Sequence, residues 1–103
     1  MNARRSIKQK DELIHTIVDV VNAYLHPKRI ILFGSRVTGK DKEYSDFDIA
    51  VEGAEIDIRS ERRLKETLDE KLGIFTVDVI NLDKVDKDFK VLVLEKGRVI
   101  YGQ

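Results

Sequence analysis

The sequence predicts a small α/β (α+β) domain, a mixed β-sheet with flanking helices. Short apolar runs rich in β-branched residues recur at 29–33, 46–51 and 75–80, and each reads as a strand. Between and before them, apolar residues return at helical spacing. No repeat, low-complexity segment or linker interrupts this alternation, which is the pattern of a sheet layered with helices. A chain of 103 residues can bury one core, so residues 1–103 are expected to form a single domain that carries the whole function.

The first helix is expected over residues 8–25. Ile14, Ile17, Val18, Val21 and Leu25 share one side of it, with Lys10, Asp11, Asp19 and Asn22 on the other. His26-Pro27 stops it, because the residue before a proline is pushed out of helical geometry and proline cannot donate the next hydrogen bond. Ile30 to Phe33 is unbroken and apolar, which suits a strand buried on both faces, and Gly34 ends it. The stretch TGKDKEYS at 38–45 is a polar loop by composition. The second strand follows over 46–51. Residues 57–72 make a second helix, with Leu64, Leu68 and Leu72 on one stripe, Glu61 and Lys65 paired four apart, and Gly73 as its stop. A third strand is expected at 75–80. The run from Phe89 to Leu94 has two readings: a hairpin that pairs through Lys96-Gly97 with residues 98–101, or a helix capped by Gly97. Local propensity favours the hairpin without deciding the matter.

Composition excludes several functions. With no cysteine there is no disulfide framework, thiolate metal site or cysteine nucleophile, so any metal must be held by oxygen or imidazole. Nineteen Lys and Arg balance nineteen Asp and Glu, interspersed along the chain, which leaves no basic footprint for duplex nucleic acid. No run approaches the roughly 20 apolar residues that span a bilayer, so a cytoplasmic protein without a membrane partner is expected. His15, on the polar side of the first helix, and His26 read as solvated, as does the arginine cluster from Arg59 to Arg63.

The chemistry is concentrated in Gly34-Ser35, followed after ten residues by Asp46-Phe47-Asp48. In a strand, residues two apart share a face, so Asp46 and Asp48 present two carboxylates together while Phe47 and Ile49 turn into the core. Aspartate is disfavoured in strands, and adjacent like charges repel; a divalent cation would remove that repulsion. Asp78 repeats the oddity inside TVDVI, where β-branched neighbours predict burial and hence a cationic partner. If the two strands are neighbours, Asp46, Asp48 and Asp78 meet at one point. Such a set suits Mg²⁺ or Mn²⁺, hard ions that complete their shell with water and substrate phosphates. Gly34 and Ser35 offer a turn and a hydroxyl for phosphate oxygens, with Arg36 and Lys40 as counter-charges. Together these residues describe metal-dependent phosphoryl or nucleotidyl transfer.

Two other readings compete. Asp46 as a turn cap and Asp48 on a wet edge strand would make the pattern structural. Gly34 to Lys40 also matches the start of a P-loop, but Asp41 stands where a P-loop carries Ser or Thr, and a polar loop replaces the long helix.

The string GSRVTGKDKEYSDFD, with the later TVDVI, resembles the GS-x10-DxD signature and third aspartate of the DNA polymerase beta-like nucleotidyltransferases. The chain is similar to the minimal nucleotidyltransferases of that superfamily over nearly its whole length. The resemblance implies Gly34, Ser35 and Arg36 on a nucleoside triphosphate, ATP first among them. It implies Asp46 and Asp48 on metal, and Asp78 as the third carboxylate and activator of an acceptor hydroxyl. It also favours a helix over about 86–96. Members are often encoded beside a small helical partner of the HEPN or substrate-binding type, and some are antitoxins that adenylylate a tyrosine of that partner. Many such antitoxins read GSRARG or GSYARG, where this chain has Val37 and Thr38. A working nucleotidyltransferase and a partner-binding module with an idle site both fit the resemblance, and a homodimer is compatible with it.

Overall fold

The computed structural model describes residues 3–34, 47–73 and 75–102, with side chains of the first helix described from residue 11 onward. The elements run α1 (Ala3–Leu25), β1 (Arg29–Phe33), β2 (Phe47–Glu52), α2 (Ile58–Leu72), β3 (Val77–Asn81), α3 (Lys87–Lys96) and β4 (Arg98–Tyr101). The helix α1 starts near residue 3 rather than 8. Its first turns hold good helix formers without apolar periodicity, so propensity extends it where patterning is silent. It ends where expected, with the His26 N–H on the Asn22 carbonyl at 3.2 Å and His26 itself at φ 50°.

The four strands lie in the order β3-β2-β1-β4. β1 pairs antiparallel with both β2 and β4, and β2 pairs parallel with β3. Parallel neighbours need a crossover, and α2 supplies it. Asp57 caps its start, accepting the Ser60 N–H at 2.7 Å, and Gly73 ends it at φ 67°. Arg29 and Glu52, opposite each other across β1 and β2, form an ion pair at the end of the ladder away from Asp48.

One sheet face is covered by α1 and α2. Ile17, Val21, Leu64 and Leu68 pack there against Ile30, Phe47, Ile49, Val51 and Val77. The other face carries a smaller cluster of Ile31, Phe33, Ala50, Leu82 and Val93, with Phe89 and Val85 against it. Alternation along β1 and β2 therefore feeds two cores, which is why both strands read as apolar runs.

The residues at 87–96 are a helix, so the hairpin that local propensity favoured does not form. Asp86 caps the helix by accepting the Phe89 N–H at 2.9 Å, and the Gly97 N–H closes it on the Val93 carbonyl at 2.8 Å. A Cβ on Gly97 would lie 2.5 Å from Ile31 Cγ2, so the missing side chain lets the helix end sit on β1. Burial of Val93 between Ile31 and Phe33 outweighs β-propensity, and β4 pairs with β1 instead. β3 likewise begins at Val77 rather than 75, because Phe75 leaves the ladder to pack on Phe47 at 6.0 Å between ring centroids.

Candidate active site

The register of the sheet assembles the site. Asp48 on β2 lies directly opposite Asp78 on β3 and directly opposite Phe33 on β1. In-register residues of neighbouring strands share a face and are about 4.8 Å apart, so Phe33, Asp48 and Asp78 form a row across the sheet. That row is on the α3 side, since Phe47 and Ile49 point into the opposite core. Two carboxylates from strands thirty positions apart in the chain thus stand side by side, as the sequence requires if the strands are neighbours.

Their environments differ. Asp48 is 7% exposed, and among the described residues it is the one charged side chain that the fold buries. The burial expected of β3 on at least one face is met by Val77 and Val79, which face the α1 and α2 core, whereas Asp78 itself is exposed, because β3 is an edge strand. The site therefore has a buried carboxylate held by a central strand and an open one at the rim. Desolvating a carboxylate beside another is unfavourable unless a cation or hydrogen bonds offset it.

At the β1 end of the row is an aromatic pair that sequence reasoning missed. Phe33 meets Phe89 of α3 edge to face, with ring centroids 6.0 Å apart and planes at 85°. The signal was present only in the helix reading of 87–96, because only a helix returns Phe89 to β1.

Gly34 follows Phe33 at the exposed end of β1. Unlike Gly53, Gly73, Gly97 and Gly102, it has neither a positive φ nor a described atom within 4 Å of a Cβ built on it. Among the described residues, then, nothing packs against the position a side chain would take at Gly34. Ser35, Arg36, Lys40 and Asp46 lie outside the described residues. Among the described residues no group of three acidic or histidine side chains could hold a metal; Asp48 and Asp78 are the two carboxylates that the described strands bring together. Their chemistry fits a hard cation, with oxygen donors only and positions left for water and phosphate. His15 and His26 are exposed and contribute nothing to the row, and Arg59, Arg62 and Arg63 are exposed on α2, as expected. No described helix is long and apolar enough to cross a membrane.

Comparison with known proteins agrees with this architecture. Residues 15–103 match the family model described as polymerase beta, nucleotidyltransferase. A relative from Haemophilus influenzae, named probable protein adenylyltransferase MntA, is 31% identical over 85 residues, 82% of this chain and 75% of its own length. The chain belongs to the polymerase beta nucleotidyltransferase family and is a minimal nucleotidyltransferase. Among solved structures, a toxin–antitoxin complex with AMP-PNP superposes with a TM-score of 0.67 at 26% identity, covering 87% of this chain and 73% of the other. A tri-AMPylated HEPN toxin from Shewanella oneidensis in complex with its MNT antitoxin gives 0.68 at 25% identity, covering 90% and 72%. A further minimal nucleotidyltransferase, at 21% identity and TM-score 0.66, shares the fold over 88% of this chain and 92% of its own.

Proposed function

We propose that this protein transfers a nucleoside monophosphate, AMP from ATP, to a hydroxyl on a separate protein, using Asp46, Asp48 and Asp78 with Mg²⁺ or Mn²⁺. The carrying observation is the alignment of buried Asp48 with rim-exposed Asp78 on one sheet face. Gly34, Ser35 and Arg36 bind the triphosphate, the glycine giving room and the other two a hydroxyl and a guanidinium. Asp46, Asp48 and Asp78 would hold the divalent ion, which would supply neutralisation of the phosphate charge and polarisation of the reacting oxygens. Asp78, open at the rim, accepts the proton of the attacking hydroxyl. A bond forms from that oxygen to the α-phosphorus, the bond from the α-phosphorus to the bridging oxygen breaks, and pyrophosphate leaves. Asp48, fixed between β1 and β3, holds its carboxylate still while this happens.

The domain, proposed to span residues 1–103 and to work in the cytoplasm, leaves little surface to enclose a second substrate, so the acceptor belongs to a partner that docks. The likeness to MntA and to complexes containing HEPN toxins favours a small helical partner and a tyrosine acceptor, which would make this chain an antitoxin.

Thermal shifts with ATP, GTP, CTP and UTP, each with Mg²⁺ and with EDTA, test the nucleotide site. A ligand that binds the folded state raises the melting temperature, and ATP should do so only with the metal. The absence of a shift for every nucleotide would sink the active-site reading. Incubation with α-labelled ATP and the product of the neighbouring gene tests the acceptor: label on a partner tyrosine is expected. Complex formation without label, unaffected by Asp46→Asn, would instead support a binding module with an idle site.

A further inference from the structure

Four consecutive apolar residues, Val91 to Leu94, occupy α3, and at 100° per residue they point to four sides of the helix. Only Val93 is buried; Val91, Leu92 and Leu94 are 40–46% exposed. The three exposed residues lie on the sides of the helix turned away from Val93, where packing on the sheet does not account for them. The adjoining strand β4, joined through Gly97 alone, repeats the pattern with Val99 at 42% and Tyr101 at 41%. Val99 lies opposite Ile31, the residue on which Val93 and Gly97 close, so the exposed residues of α3 and β4 adjoin. Of the seven exposed large apolar side chains among the described residues, Val91, Leu92, Leu94 and Val99 fall on α3 and the adjoining part of β4, while Tyr101 lies opposite Ile30 across an irregularity in the β1–β4 register. β4 is also an edge of the sheet, with one side of its backbone not paired to any described strand.

Charge decides between occupants. Residues 87–101 carry Lys87, Lys90, Lys96 and Arg98 against Asp88 and Glu95, an excess of cations around the apolar centre. A second copy of this chain would bring the same sign to the same place. A protein helix with an apolar face and acidic flanks complements both features. Location points the same way: α3 is stacked on Phe33 through Phe89, on the sheet face that carries Asp48 and Asp78. From β1 to β3 is two strand spacings, roughly 10 Å, with α1 and α2 on the far side of the sheet.

We propose that the α3–β4 surface is the docking site for the acceptor protein, engaging an acidic-flanked amphipathic helix and so bringing its hydroxyl to the carboxylate face. This deepens the transfer reading and rests on it for the identity of the guest.

The test uses full-length protein and the purified product of its neighbouring gene. Complex formation is measured by calorimetry, and contacts by hydrogen exchange. Protection is expected over residues 87–101, and Val91→Asp and Leu94→Asp should each weaken binding roughly 30-fold, the size of a hot-spot loss. Both variants should keep the wild-type circular dichroism and the Mg²⁺–ATP thermal shift, which shows that they fold. Lys96→Glu should weaken binding and reduce its salt dependence. No complex, unchanged affinity in both aspartate variants, or protection confined to other elements would overturn the proposal. So would a wild-type homodimer that Val91→Asp dissociates. Protection at 87–101 without any nucleotide shift would uphold the docking surface while the transfer reading falls, so the two fail separately.

Discussion

The two faces of the sheet are covered unequally. On one, two helices of three or more turns bury a continuous core in which Ile17, Val21, Ile49, Leu64 and Leu68 are at most 1% exposed. On the other, a single ten-residue helix packs through Val93 and Phe89, and β2 and β3 bring the buried Asp48 and the exposed Asp78 to that same face. Alternation along β2 makes the division: Phe47, Ile49 and Val51 serve the thick face, Asp48 and Ala50 the thin one. The larger core thus lies on the face away from Asp48 and Asp78, and the thin face carries both the buried carboxylate and exposed apolar residues.

The largest way to break that comparison is on the thin face. Asp48→Asn and Asp78→Asn should each lower transfer on the order of 1000-fold, as expected when several kcal/mol of charge stabilisation is lost. Neither should lower the melting temperature of the metal-free protein, because each removes one of two adjacent like charges. Labelled-ATP transfer and thermal melts check this, and loss of folding in both would make the aspartates structural.

Leu68→Ala asks the opposite question of the thick face. It should cost about 2–5 kcal/mol by chemical denaturation, while the protein that remains folded keeps its metal-dependent nucleotide shift. Gly97→Ala sharpens the thin face: its Cβ would meet Ile31 Cγ2 and the Val93 carbonyl at 2.5 Å. A loss of about 1–3 kcal/mol is expected, together with a weaker nucleotide shift, since α3 carries Phe89 onto Phe33 beside Asp48.

The smallest effect is at the Asp57 cap of α2, on the thick face. The Ser60 N–H holds the Asp57 carboxyl below its ordinary value of 3.8. A depressed folded-state value means the contribution is complete above 3.8 and is lost as pH falls through the folded value. Asp57→Ala should therefore lower the melting temperature slightly at neutral pH and by progressively less below pH 3.8, read from melts over that range.

Much of this was legible beforehand because it rests on local physics. Periodicity, Pro27, the stop at Gly73, and the spacing of Asp46 and Asp48 depend on neighbours in the chain, and α1, β1, β2 and α2 came out within a few residues of expectation apart from the start of α1. The candidate site was legible as residue types and partly as geometry. Asp48 beside Asp78 follows once β2 and β3 pair, and Gly34 ends β1 as read; Ser35, Arg36 and Asp46 lie outside the described residues.

By itself, then, the sequence determined the types of the described elements up to residue 81, the presence of an aspartate in each of β2 and β3 and the exclusion of thiol chemistry, all set by covalent order and side-chain chemistry. Only the tertiary structure decided that 87–96 is a helix, since burial of Val93 and the close fit of Gly97 on Ile31 outweigh the strand preference of an apolar run. It alone placed β3 at the edge, exposing Asp78, and Phe89 under Phe33, because strand order and sheet face are properties of long-range packing that no local pattern encodes.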